Sequence, residues 1–96
     1  MKIELRKFGT TLTSRQDGRE AFAAIQPTVA GLGPNETIEL DFAGVNTFSP
    51  SWADEFITAF FKVYGDRMLL AASDNPSVKA TISMLEKINK VHFNRS

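Results

Sequence analysis

The chain has no cysteine, one histidine and one tryptophan in 96 residues. Without thiols there is no disulfide framework, no thiolate metal site and no cysteine nucleophile, and a lone histidine offers no metal-ligand spacing. Surplus charge is lacking as well. Eleven basic residues balance eleven acidic ones, so no net field gathers nucleic acid or an anionic membrane surface. No apolar run approaches the ~20 residues of a spanning helix. The N-terminus MKIELRKFG alternates charge with aliphatics, where a secretory signal runs basic and then apolar. A soluble protein of the reducing cytoplasm is expected. No linker, low-complexity segment or solenoid repeat divides the chain, and 43% apolar residues suffice for one core, so residues 1–96 are read as one domain.

Catalytic signatures are equally sparse. Ser51, His92 and Asp54 can be written as a triad, but G-x-S-x-G is missing and His92 lies in a tail that nothing ties to Ser51. The glycines of GLGP lack both the G-x-G-x-x-G spacing and a preceding strand, so they mark no dinucleotide or phosphate loop. Asp41, at a strand end, invites comparison with the phosphoacceptor of receiver domains. The early acidic pair and late lysine of that plan are absent, since the first strand ends Arg6-Lys7 and a later one Leu70-Ala71-Ala72-Ser73. The expectation is a protein that is not an enzyme and uses no cofactor or metal.

What is present is periodicity. Ile3 and Leu5 alternate with Lys2, Glu4 and Arg6 as in a strand with one buried face, and Gly9 can turn the chain so that Thr10–Thr13 pairs back as a second short strand. Ser14 or Asp17 caps a helix whose stripe is Phe22, Ile25, Val29 and Leu32, with Pro27 predicted to kink or restart it. Residues 37–42 form the clearest strand, Ile38, Leu40 and Phe42 on one face and Glu39 and Asp41 on the other. In the next loop, Val45 and Phe48 turn back to the core. Trp52, Ala53, Phe56, Ile57, Phe60, Phe61 and Tyr64 trace the strongest amphipathic helix, ended by Gly65. Residues 67–72 read as a short buried strand, and Asn75-Pro76 opens a last helix with Val78, Ile82, Leu85 and Ile88 as its stripe. The tail VHFNRS carries no clear pattern. Single strands alternating with helices imply right-handed crossovers between parallel neighbours, with 37–42 beside 67–72. The predicted fold is a small α/β sandwich, a mixed, mostly parallel sheet of about four strands with helices packed on it.

Function in such a sheet gathers where a strand's carboxyl end leads into a helix, which directs attention to Phe48-Ser49-Pro50-Ser51-Trp52. Ser49 is suited to N-cap and Pro50 to the first helical position, a device repeated in Asn75-Pro76-Ser77. Ser51 then lies in the first turn, where backbone donors and the macrodipole favour an added phosphoryl group of roughly −1.5 to −2 charges. Asp54 and Glu55 read as first-turn acids complementing the dipole, with Ser51 and Asp54 forming a capping box if the helix starts later, or as the acidic rim of a partner site on the side away from Trp52 and Phe56. The aromatics read as core. Trp52, in the first turn, is also read as a partly exposed interface anchor.

The run LDFAGVNTFSPSWADEF resembles the STAS and STAS-like domains of the anti-sigma-factor-antagonist type, in which an acidic strand end and a glycine lead to a D-S-S-G motif opening a helix. The small bacterial STAS-like group is closest, with its F-x-G-V loop, S-P-S-aromatic-A-D motif and later N-P-x-V in this order over most of the chain. The resemblance matches Asp41 and Gly44 to the acidic residue and glycine. It matches Ser49 to the motif's aspartate, Pro50 and Ser51 to its two serines, and Trp52 to its glycine. The second serine is the kinase target in antagonists, so Ser51 is the implied phosphoacceptor. The departures at Ser49, Pro50 and Trp52 remove an acid, add rigidity and set an indole beside Ser51.

The implied role is a bacterial regulatory module. It docks on a protein partner through Asp41, Gly44, Asn46, Ser49, Pro50, Ser51, Trp52, Asp54 and Glu55, the partner resembling an ATP-binding anti-sigma or histidine-kinase-like protein. The alternative is a constitutive adaptor or competitor with the same fold and no phosphoswitch.

Overall fold

The computed structural model describes residues 1–96. Its main sheet has the order β1 (Lys2–Glu4), β3 (Ile38–Asp41), β5 (Met68–Leu70), β6 (Asn94–Arg95), and every neighbouring pair is parallel. The predicted neighbours meet in the register Ile38 with Met68 and Leu40 with Leu70. Each helical crossover moves one place in the same direction, so right-handed connections put the helices on one face. Burial agrees: Ile3, Leu40 and Leu70 are buried, while Lys2 and Glu4 point the other way to solvent. The sheet is therefore covered on one side by α1 (Arg15–Val29), a helical rod over residues 50–64, and α4 (Pro76–Asn89).

The amino-terminal hairpin does not form. A 3₁₀ turn over Leu5–Phe8 buries Leu5 and carries the chain off β1, and β2 (Thr11–Leu12) pairs in parallel with β4 (Thr47–Phe48) in a separate two-stranded sheet. A parallel partner lies some thirty-six residues away, beyond the reach of a turn signal. α1 also departs from expectation: it passes through Pro27 unbroken. That proline lies in the last turn on the exposed side, where the unpaired carbonyl meets water and the disruption is mild. The helix stops at Val29, so Leu32 is packed only partly and from outside it.

The rod comprises α2 (Pro50–Ala53), a π-helical stretch (Asp54–Thr58) and α3 (Ala59–Tyr64), all helical in backbone angles up to Gly65. The wider π turn lets three consecutive residues, Phe56, Ile57 and Thr58, all reach the interior. The Thr58 hydroxyl is buried there without a partner. Along the rod Trp52 stacks on Phe56 at 4.9 Å, Phe56 lies 5.0 Å from Phe60, and Phe60 lies 5.5 Å from Tyr64. Trp52, Phe56 and Phe60 belong to a 22-residue core, against which Tyr64, Phe8 and Phe22 pack.

After the rod, the strand predicted over 67–72 is shorter because a 3₁₀ turn occupies Gly65–Arg67. In α4 the stripe is Val78, Thr81, Ile82 and Leu85. Ile88 is 67% exposed because the helix ends one residue later, at a left-handed Lys90, and the chain turns back before anything covers it. The tail then inserts Phe93 into the core and adds β6 to the sheet. No helix is long and apolar enough to cross a membrane.

Candidate functional site

The site begins where β3 releases the chain. Asp41 Oδ1 accepts from the Ala43 N–H at 3.3 Å and Oδ2 lies 3.6 Å from Lys2 Nζ, so this carboxylate shapes the turn after the strand. Gly44 completes the turn at φ 84°, and a Cβ there would lie 3.0 Å from the Arg6 side chain. A side chain at this position would meet both backbone strain and a crowded neighbour. Val45 and Phe48 are buried as predicted, leaving Asn46 and Thr47 exposed between them.

The loop is held from two directions. Thr10 O accepts from the N–H groups of Asn46 and Thr47 at 2.8 and 3.1 Å, and Leu12 O accepts from Ser49 N–H at 3.0 Å. From the other side, Asn75 Nδ2 donates to the carbonyls of Val45 and Asn46, both at 2.8 Å. Ser77 Oγ accepts from Phe48 N–H at 3.1 Å, and Thr81 Oγ1 donates to Phe48 O at 2.8 Å. The roles of Asn75, Ser77 and Thr81 are not legible in sequence. Asn75 announces itself as a cap, but nothing local says that its amide reaches a loop about thirty residues earlier.

Ser49 is the N-cap. Its hydroxyl donates to Thr13 O at 2.7 Å and accepts a long bond, 3.5 Å, from Trp52 N–H, with Pro50 next in the first helical position. The capping box of Ser51 with Asp54 is therefore not used. Ser51 is half-buried on the first turn, and its hydroxyl enters none of the hydrogen bonds that build the loop.

Trp52 is the clear correction. It is 1% exposed, with its ring among Phe8, Phe48 and Phe56, so the partly exposed indole expected at this helix start is a core side chain instead. The reason is the depth of this helix start: α1 packs against it so closely that a Cβ on Gly18 would collide with the Trp52 carbonyl oxygen. Gly18 lies on the buried face of α1, a contact that helical periodicity alone does not reveal.

Asp54 and Glu55 are half-buried and already paired. Arg15 Nη1 lies 3.0 Å from Asp54 Oδ2 and 3.1 Å from Glu55 Oε1, with Arg19 at 3.6 Å from Glu55. Hydrogen bonds to Asp54 and then Glu55 push the Arg15 pKa up. The acidic rim is thus a mixed acidic and basic surface shared between α1 and the rod. His92 is remote from it, 3.2 Å from Glu86 on α4, so the triad of Ser51, His92 and Asp54 is not assembled. No three His, Asp or Glu side chains gather into a metal-binding group.

A family model described as STAS-like domain of unknown function (DUF4325) matches residues 18–79, well over half of the chain. The chain belongs to the STAS-like domain family. No curated protein and no solved structure gives a match. The matched span runs from Gly18, which lets α1 approach the rod, through the site loop and Ser51, to Asn75 and Ser77, which hold the loop from behind. In this STAS-like chain, β1, β2, Arg15 and the tail with β6 lie outside the matched span.

Proposed function

We propose that this STAS-like domain is a non-enzymatic regulatory module that docks on a protein partner through Asn46, Thr47 and the outer side of the helix start at Pro50 and Ser51, with Asp54 and Glu55 at its margin. The partner class is an ATP-binding anti-sigma or histidine-kinase-like protein, and Ser51 is the phosphoacceptor whose modification weakens the contact. One observation carries the reading: the capping hydroxyl of Ser49 and the backbone of the loop are committed to the fold, whereas the Ser51 hydroxyl is not. A phosphoryl group there extends the favourable field of a helix start without displacing a structural bond.

The test is incubation of the purified protein with host lysate and ATP, followed by peptide mapping and by partner capture on wild-type, Ser51→Ala and Ser51→Asp protein. The expected result is phosphate on Ser51, a partner retained by Ser51→Ala, and loss of that partner with Ser51→Asp. Identical capture by all three, with Ser51 unmodified, removes the switch.

That second outcome describes a constitutive adaptor, and one observation favours it. Asp54 and Glu55 stand one turn beyond Ser51 at the spacings that face each other on a helix. Like charges there oppose a phosphoserine, even with Arg15 and Arg19 compensating.

A further inference from the structure

A cleft of about 410 Å³ opens at the carboxyl ends of β3, β5 and β6, on the α4 side of the sheet and apart from Ser51. It exists because β5 ends in small residues. After Leu70 the chain leaves the sheet through Ala71, Ala72 and Ser73, so no large side chain fills the space between the strand ends and α4. Its floor is apolar and fixed, made of Phe42, Leu70, Val78 and Ile82, all buried.

The rim is left with one uncompensated charge. Arg95 and Glu86 face each other across 3.1 Å, and Glu86 also accepts the Phe93 N–H at 2.9 Å, so that pair is internally satisfied. Burial pushes the Glu86 pKa up, but the hydrogen bonds from Arg95 and the Phe93 N–H, with the charges of Arg95 and His92, outweigh it and hold the carboxyl below its ordinary value. Lys79 lines the same cleft, is exposed and has no acidic partner. Ser83, one turn further along α4, adds an exposed hydroxyl beside it. Asp74, the nearest carboxylate on the loop before α4, is not part of the lining.

An apolar floor, one uncompensated cation and a neighbouring hydroxyl describe a complementary ligand. We propose that the cleft binds a small amphipathic monocarboxylate, its hydrocarbon body over Phe42, Leu70, Val78 and Ile82 and its carboxylate on Lys79 and Ser83. The volume falls in the range of roughly 300–1,000 Å³ found for small-molecule sites, and the carboxyl ends of parallel strands are where such sheets hold ligands. This assignment does not depend on Ser51 or on any protein partner.

The experiment is an NMR titration of the ¹⁵N-labelled full chain with sodium octanoate, with octan-1-ol and octylamine as neutral and cationic counterparts. Saturable shifts are expected at the lining residues 71–73, 78, 79, 82, 83, 86 and 95, with octanoate binding about tenfold or more tighter than either counterpart, a difference of ~1.4 kcal/mol or more. Lys79→Glu should cost octanoate about tenfold and leave octan-1-ol nearly unchanged. Ser83→Trp should block both. Both substitutions fall at exposed positions, and unchanged far-UV circular dichroism and Tm will show that the fold is kept. Shifts centred on Met84 and Ile88, the exposed apolar residues of the same helix, would overturn the proposal. So would equal affinity for octylamine, or indifference of octanoate binding to Lys79→Glu.

Discussion

Ser49-Pro50-Ser51 and Asn75-Pro76-Ser77 open two helices with the same local device, yet their third positions have opposite fates. In the second, Asn75 Oδ1 accepts from Ser77 N–H at 2.8 Å and Ser77 Oγ at 2.7 Å, while Ser77 Oγ also takes the Phe48 N–H. In the first, Ser49 bonds back to Thr13 and Ser51 is left out. The two starts are also linked, because Phe48 immediately precedes Ser49. The polar start holds the loop that presents the other one, and the Ser51 hydroxyl is spare because Ser77 and Asn75 do the holding. Local capping chemistry is thus common to both, and tertiary context decides which serine is structural.

The first start is fixed mainly by the residue after its second serine, the buried Trp52. Trp52→Ala is expected to cost about 3–5 kcal/mol, as for large aromatic truncations in cores, measured by urea unfolding monitored by circular dichroism. A loss below about 1 kcal/mol would mean that the aromatic ladder does not set this helix. Next comes Asn75→Ala. Losing a cap and leaving the Val45 and Asn46 carbonyls without their amide donor should cost about 2–4 kcal/mol. Hydrogen exchange should rise at residues 45–48 while β1 and β3 keep their protection; a uniform rise would show that Asn75 does not hold the loop specifically.

How much of this is readable in the sequence depends on the range of the interaction. Strands at 38–41 and 68–70, the helix stripes, the Ser49 and Asn75 caps and the parallel pairing of those strands follow from period and capping, which act within a few residues. β4 leaves no signal because two residues carry no period, and its partner β2 reads as half of a hairpin for the same reason. The π-helical stretch at Asp54–Thr58 keeps the apolar spacing of an α-helix, so the pattern does not betray it. β6 is added by Phe93 entering the core from a six-residue tail that has no strand signal of its own. At the candidate site, Ser51 is legible from motif position. The burial of Trp52 and the pairing of Asp54 and Glu55 with Arg15 are not, since both depend on how α1 docks across the rod.

That docking supplies the third prediction. A methyl group on Gly18 meets the Trp52 backbone, which cannot swing away as a flexible side chain would. Gly18→Ala should therefore destabilise by about 1–3 kcal/mol, although alanine is the better helix former. A gain in stability would show that α1 has room to shift, and that the first start owes less to this contact than the geometry implies.

The smallest effects test the comparison most directly. Ser77→Ala removes a hydroxyl that satisfies the Phe48 N–H and bonds Asn75, so a loss of about 1–2 kcal/mol is expected. Ser51→Ala removes a hydroxyl with no structural partner, and alanine is favoured in a helix, so its effect should stay within about 0.5 kcal/mol. Measured together, the pair isolates position three of the two starts under identical local chemistry. Equal losses would mean that Ser51 has an undetected structural bond, and a serine committed in that way is poorly placed to be modified without disturbing the fold. Unequal losses in the expected order leave Ser51 the one motif serine whose chemistry can change while the loop, held through Asn75 and Ser77, stays where it is.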